Sequence, residues 1–111
     1  LFSTISIHTD KGGIPGLALA PIAVLPGFQS QGIVSQLIKR GLVESKRLGY
    51  KFIVVVGHPE YYPRFGFTSA RAKGLEAPFE VPDEAFMVLE LFPGALDYVK
   101  GLVMYPPEFG I

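Results

Sequence analysis

Two stretches of the sequence hold residues whose types and spacing suit chemistry. The first is Val24-Leu25-Pro26-Gly27-Phe28-Gln29-Ser30-Gln31-Gly32-Ile33-Val34, which joins a strand-like run to a helix-like run. A short loop feeding a helix N-terminus presents unpaired backbone N–H groups and the positive end of the helix dipole, a combination that binds phosphate. Gly32 lets the backbone come close to a ligand. The same residues also read as an ordinary strand-to-helix connection. Neither G-x-x-x-x-G-K-[ST] nor G-x-G-x-x-G is present, which excludes kinase-type and Rossmann-type nucleotide sites. The second stretch is Tyr61-Tyr62-Pro63-Arg64-Phe65-Gly66-Phe67. Tyr62 stands four residues before Gly66 and follows a predicted strand. From there a phenol points into the crevice at the strand ends, where it can protonate a leaving thiolate. Aromatic packing is the competing reading for Tyr62 and the favoured one for Tyr61.

The remaining acid–base residues carry less. His8 and His58 are far apart and lack the spacing of a metal pair. His58 and Glu60, just past the same strand, are candidate bases for deprotonating an ammonium group. The pair Asp83-Glu84 is either a solvated loop or an acceptor-binding feature. No Ser-His-Asp arrangement can be drawn.

The elements that must position these groups follow from periodicity. Phe2 to His8 alternates apolar and polar residues, a strand with one apolar face. Asp10-Lys11-Gly12-Gly13 is turn chemistry. Leu17 to Leu25 is nearly all apolar and reads as a central strand, with Pro21 marking a bulge or a break in pairing. Gly32 to Leu48 is an amphipathic helix with an apolar stripe of Val34, Leu37, Ile38, Leu42 and Leu48, and small Gly41 and Ser45 beside it. Lys39, Arg40, Lys46 and Arg47 face away from that stripe, and Gly49 stops the helix. Tyr50 to Val56 is a β-branched strand, which makes a strand–helix–strand unit with parallel strands. Glu60 to Phe65 reads as one helical turn, Phe67 to Ala72 as a weak strand and Lys73 to Pro82 as a loop. Ala85 to Phe92 and Tyr98 to Tyr105 read as strands. The fold class is α/β with a mixed sheet.

Composition bounds the rest. A chain of 111 residues with 49% hydrophobic residues supports one packed core, so residues 1–111 are taken as a single domain. Without Cys there is no disulfide framework, thiolate zinc site or Cys nucleophile. Ten basic and ten acidic residues cancel, which speaks against a nucleic-acid partner. No apolar run reaches membrane-spanning length, and no signal-peptide pattern opens the chain, so a cytoplasmic location is expected. The opening at Leu1, with a strand-like run and no lead-in, is what a fragment or processed product would show.

Together the two stretches resemble the GNAT superfamily of N-acetyltransferases. The family's pyrophosphate loop, Q/R-x-x-G-x-G/A, runs here as Gln29-Ser30-Gln31-Gly32-Ile33-Val34, and its late motif, Y-x-x-x-G-F, as Tyr62 to Phe67. The wording is closer still to a bacterial subgroup of predicted acetyltransferases: Leu-Pro-Gly-Phe-Gln at 25–29, Gly-His-Pro-Glu-Tyr-Tyr-Pro-Arg-Phe-Gly-Phe at 57–67, Pro-Phe-Glu-Val-Pro-Asp-Glu-Ala-Phe-Met at 78–87 and Pro-Gly-Ala-Leu at 93–96. The resemblance covers nearly the whole chain.

This resemblance implies acetyl transfer from acetyl-CoA to an amine acceptor by direct attack. Backbone groups of Ile22, Ala23 and Val24 would pair with the pantetheine arm. Gln29, Gln31, Gly32, Ile33 and Val34 would cradle the pyrophosphate, and Tyr62 would protonate the departing thiolate. Two departures stand out. Val34 replaces the family's Gly or Ala, and the family's preceding strand–helix–strand portion is not in the sequence. The second departure predicts that the Phe2–His8 strand is a sheet edge with an exposed apolar face, and hence pairing with another copy as a homo-oligomer, or poor solubility. A non-catalytic acyl-CoA-binding module and an inactive truncated fragment are the alternatives.

Overall fold

The computed structural model describes residues 2–10, 12–19, 31–57, 59–97 and 99–105. Seven strands form one mixed sheet: β1 (Phe2–Thr9), β2 (Gly12–Leu19), β3 (Phe52–Val56), β4 (Thr68–Ser69), β5 (Leu75–Glu76), β6 (Phe86–Glu90) and β7 (Gly101–Met104). Their order across the sheet is β4–β6–β3–β2–β1–β7–β5. One helix, α1 (Gln31–Arg47), connects β2 to β3, and these two strands pair in parallel through Leu17–Ile53, Ala18–Val54 and Leu19–Val55. The expected strand–helix–strand unit is therefore present. β3 and β6 pair antiparallel from Phe52–Glu90 to Val56–Phe86.

Strand periodicity divides the core into two layers. Phe52, Val54, Phe86 and Val88 point to one face, where they meet Ile5, Ile7, Leu75, Leu96 and Val103. Ile53, Val55 and Met87 point to the other and meet Leu17, Leu19, Ile38 of α1, Tyr62 and Phe67. Successive side chains of a strand alternate between faces, so a strand buried on both must be apolar throughout. β3 satisfies this: Phe52 to Val55 are all buried.

Three expectations need correction. β1 is not an edge strand. It pairs with β2 along its length, and β7 returns to its other side through Ser6–Met104, Ile7–Val103 and His8–Leu102. The apolar face of β1 is not exposed either, since Ile5 and Ile7 are buried. β2 begins at Gly12, not Leu17: the glycines read as turn residues are in the ladder with β1. A Cβ at Gly16 would run into the ring of Phe52, so glycine is what lets the buried ring lie against the strand. Pro15 sits in the stretch of β2 that lacks β3 as a partner, where a missing N–H is tolerated. Finally, the apolar stripe of α1 is narrower than expected. Ile38 and Ser45 are buried and Leu42 is half-buried, whereas Leu37 and Leu48 are 49% and 66% exposed. At about 100° per residue, both lie roughly 80–100° around the helix from Ile38. The Ser45 hydroxyl is satisfied by donating to the Gly41 carbonyl at 2.7 Å.

Candidate active site

The C-terminal end of β3 gathers the chemistry. Gly57 follows the strand and extends its ladder, donating its N–H to the Ala85 carbonyl at 3.0 Å. The chain then forms a short 3-10 turn, Tyr62–Phe65, with Pro63 in its first residues. Pro pre-sets the backbone for such a turn. Gly66 closes it at φ 99°, its N–H donating to the Pro63 carbonyl at 2.9 Å. A side chain there would be strained by that φ and would also press on Leu89. Phe67 is buried, with its ring centroid 5.9 Å from that of Tyr62 in an edge-on contact. The spacing Y-x-x-x-G-F thus has a physical basis. The glycine makes the turn, the phenylalanine anchors it, and the tyrosine is held where the strand ends.

Tyr62 itself is 5% exposed. Its ring lies over Gly57, where a Cβ would come within 2.5 Å of ring atom Cε2. Burial raises the phenol above its ordinary value of about 10, and the neighbouring Tyr61 pushes it the same way. Tyr62 is therefore protonated at neutral pH, which suits an acid and not a base. Tyr62 stands just past the end of β3, the position expected from the sequence.

Tyr61 is packed on several sides. Its ring makes edge-on contacts with Tyr62 (centroids 5.2 Å apart) and Phe65 (5.4 Å). The Arg64 guanidinium lies 4.5 Å from its centroid, and Arg64 Nε donates to the Tyr61 carbonyl at 3.0 Å. The Tyr61 hydroxyl is buried and has no hydrogen-bond partner. Nothing in the sequence signals this, because adjacent tyrosines look alike until the ring directions are known. A cleft lined by Pro59, Glu60, Tyr61 and Arg64 opens at the same corner.

Gln31, Gly32, Ile33 and Val34 form the first turn of α1, whose leading N–H groups have no partner within the helix. That turn holds no acidic residue, so no carboxylate competes for its positive end. Ile22, Ala23, Val24 and Gln29 lie outside the described residues, as do Pro21 and His58. Of the basic helix residues, Arg47 is tied to Glu44 at 2.7 Å and Lys46 lies 5.1 Å from the Phe92 ring centroid. Lys39 and Arg40 are exposed. Glu60 is exposed at the cleft, whereas His8 is exposed on β1.

The segment 80–85 is held by a residue that sequence reasoning passed over. Arg71 donates to the Val81 carbonyl at 2.8 Å, pairs with Asp83 and Glu76, and lies over the Phe86 ring. Asp83 is thus engaged, and of the acidic pair only Glu84 extends to solvent without an ion pair among the described residues. The contacts with Val81 and Asp83 span ten and twelve residues, a range at which local spacing is silent. Among the described residues, no cluster of potential ligands could hold a metal ion. No helix among them is long and apolar enough to cross a membrane.

No family model matches the chain. It is 37% identical over 108 residues to YhbS, an uncharacterized N-acetyltransferase of Escherichia coli, an alignment covering 97% of this chain and 64% of the relative. The crystal structure of the E. coli GNAT family N-acetyltransferase YhbS in complex with CoA superposes with a TM-score of 0.87 at 33% identity, covering 99% of this chain and 60% of that one. Over the length it shares with them, the chain is similar to GNAT N-acetyltransferases in both sequence and fold. A second GNAT acetyltransferase, from Brucella melitensis in complex with acetyl-CoA, has a TM-score of 0.70 at 30% identity, covering 97% and 57% of the two chains. The sheet with its connecting helix is the GNAT fold. The chain spans less than two-thirds of the length of these relatives.

Proposed function

We propose that the protein transfers an acetyl group from acetyl-CoA to an amine acceptor. The observation that carries the reading is Tyr62, buried against Gly57 at the end of β3, where burial also favours its protonated form. Two features fit an acyl-coenzyme A as the group bound there: the uncompensated first turn of α1 and the orphaned Tyr61 hydroxyl beside Tyr62. The solved relatives carry CoA and acetyl-CoA.

In this reading the thioester supplies the acetyl group and an activated carbonyl. The acceptor nitrogen attacks that carbonyl carbon, a C–N bond forms and the C–S bond breaks. One ammonium proton leaves before attack through water or Glu60. Tyr62 gives its proton to the departing sulfur and is restored by the second proton that the nitrogen sheds as the amide forms. N–H groups of Gln31 to Val34 take the pyrophosphate, with Gln29 before them and the backbone of Ile22, Ala23 and Val24 along the pantetheine arm. A cytoplasmic location belongs to the same proposal, as does self-association. With the apolar face of β1 buried, the support for self-association is now the exposed Leu37, Val43 and Leu48 of α1.

Tyr62→Phe tests the chemistry. With turnover followed as CoA release against a panel of amines, the variant is expected to lose about 10²-fold or more while binding acetyl-CoA normally. Unchanged turnover would remove Tyr62 as the acid. Acetyl-CoA binding by the parent chain without turnover on any amine would favour the non-catalytic binding module.

A further inference from the structure

The Tyr61 hydroxyl is the one buried side-chain polar atom without a partner among the described residues. An interior phenol normally finds one, because an unpaired buried group bears its desolvation cost with no return. The ring cannot swing its hydroxyl to water without losing its contacts. Tyr62 and Phe65 hold two of its edges, and Arg64 holds both its face and its carbonyl. A phenylalanine would make the same ring contacts and leave nothing unsatisfied. None of the described residues supplies the hydroxyl's partner. The ring forms part of the wall of the cleft with Pro59, Glu60 and Arg64, of which Pro59, Glu60 and Arg64 are exposed. A ligand entering here would turn the Arg64 side chain aside and release its contacts with the Tyr61 ring and carbonyl, the scale of side-chain change that binding commonly brings.

We infer that Tyr61 is a ligand-binding residue: its hydroxyl donates a hydrogen bond to a carbonyl oxygen at the thioester end of the bound acyl-coenzyme A, next to the sulfur served by Tyr62. This rests on the acetyl-CoA reading above. It assigns the two neighbouring phenols different tasks, one proton donated and transferred, the other donated and kept. The carbonyl is either that of the thioester or that of the pantetheine amide nearest it.

Tyr61→Phe separates a binding role from a structural one. An unsatisfied hydroxyl contributes no stability, so the variant melts at the same temperature as the parent or higher. Its Kd for acetyl-CoA, by calorimetric titration, rises about 3- to 10-fold, the range of one neutral hydrogen bond. Parallel titration with CoA, which lacks the thioester carbonyl, assigns the oxygen. A loss with acetyl-CoA alone points to the thioester, and an equal loss with both to the amide. An unchanged Kd for both ligands overturns the inference. So does a clear fall in melting temperature, which would show that the hydroxyl has its partner within the chain. If the parent chain itself gives no binding heat, the acetyl-CoA reading fails and takes this inference with it, an outcome visible before any variant is made.

Discussion

Replacing Gly57 by alanine perturbs the site through a single methyl group. The added Cβ would lie 2.5 Å from Cε2, 3.2 Å from Cδ2 and 3.4 Å from Cζ of Tyr62. Carbon atoms settle at about 3.5–4.0 Å, so the ring must move by roughly 1 Å. It has little room to do so, since Tyr61 and Phe67 press on it and only 5% of the residue is exposed. Overpacking of this kind costs about 1–3 kcal/mol. At roughly 4 °C per kcal/mol for a domain of this size, the melting temperature falls by about 4–12 °C. The functional loss is larger. A misplacement of about 1 Å in a reacting group can cost on the order of 10²-fold in rate. The first turn of α1 is untouched, so the Kd for acetyl-CoA changes by less than about 3-fold in this account. The assay pairs thermal unfolding with CoA release in the presence of an amine from the acceptor panel. Gly13→Ala serves as the control, since its nearest neighbour would be the Ser6 Cβ at an ordinary 4.0 Å. A Gly57→Ala protein that melts and turns over like the parent would refute the placement of Tyr62 against the strand end.

Gly16→Ala pushes a Cβ into the ring of Phe52, which is fully buried, and is expected to lose about 2–3 kcal/mol in denaturant unfolding; a neutral result would contradict the register of β2. Glu90 accepts the Leu96 N–H at 2.8 Å and pairs with Lys73 at 3.1 Å, and these hold its carboxyl below the ordinary value. Its stabilisation is thus complete above the unfolded value of about 4.3 and is lost as pH falls through the lower folded value. Glu90→Gln should lose about 1–3 kcal/mol at neutral pH and show a weaker acid dependence than the parent; parallel stability–pH curves would contradict this. Burial pushes the Tyr105 phenol up to about 12. The folded chain keeps a proton that the unfolded chain releases above about pH 10, so this contribution is full below that pH and falls away towards 12. Tyr105→Phe is expected to flatten the alkaline arm of the stability curve by up to about 2 kcal/mol, allowing for the ring's partial exposure, and an unchanged arm would show that Tyr105 titrates normally.

Much of the site was legible because its parts are local. Tyr62, Gly66 and Phe67 lie within about one turn, and their spacing carries the shape of that turn. The strand–helix–strand unit was legible because the apolar run 52–56 and the Ile38–Leu42–Ser45 stripe are periodic. What was missed depends on distant partners. β7 reaches β1 across nearly the whole chain, and glycine at 101 is what admits it so close to the His8 carbonyl. Asp10 to Gly13 imitates a turn although Gly12 and Gly13 belong to the strand, and at Gly16 only the ring of Phe52 explains the glycine. Leu37 and Leu48 count as apolar in any pattern, yet the contact of α1 with the sheet is set by the closer approach of the Ile38 side, where Gly41 leaves room for the Phe2 ring. Arg71's hold on Val81 and Asp83, and the orphaned Tyr61 hydroxyl, are properties of assembled geometry that no spacing encodes.

The central claim is that this chain takes an acyl-coenzyme A with its thioester end beside Tyr62. Calorimetric titration of the folded chain with acetyl-CoA tests it most directly. The account predicts saturable binding at one site per chain. A folded sample that gives no saturable heat would contradict it.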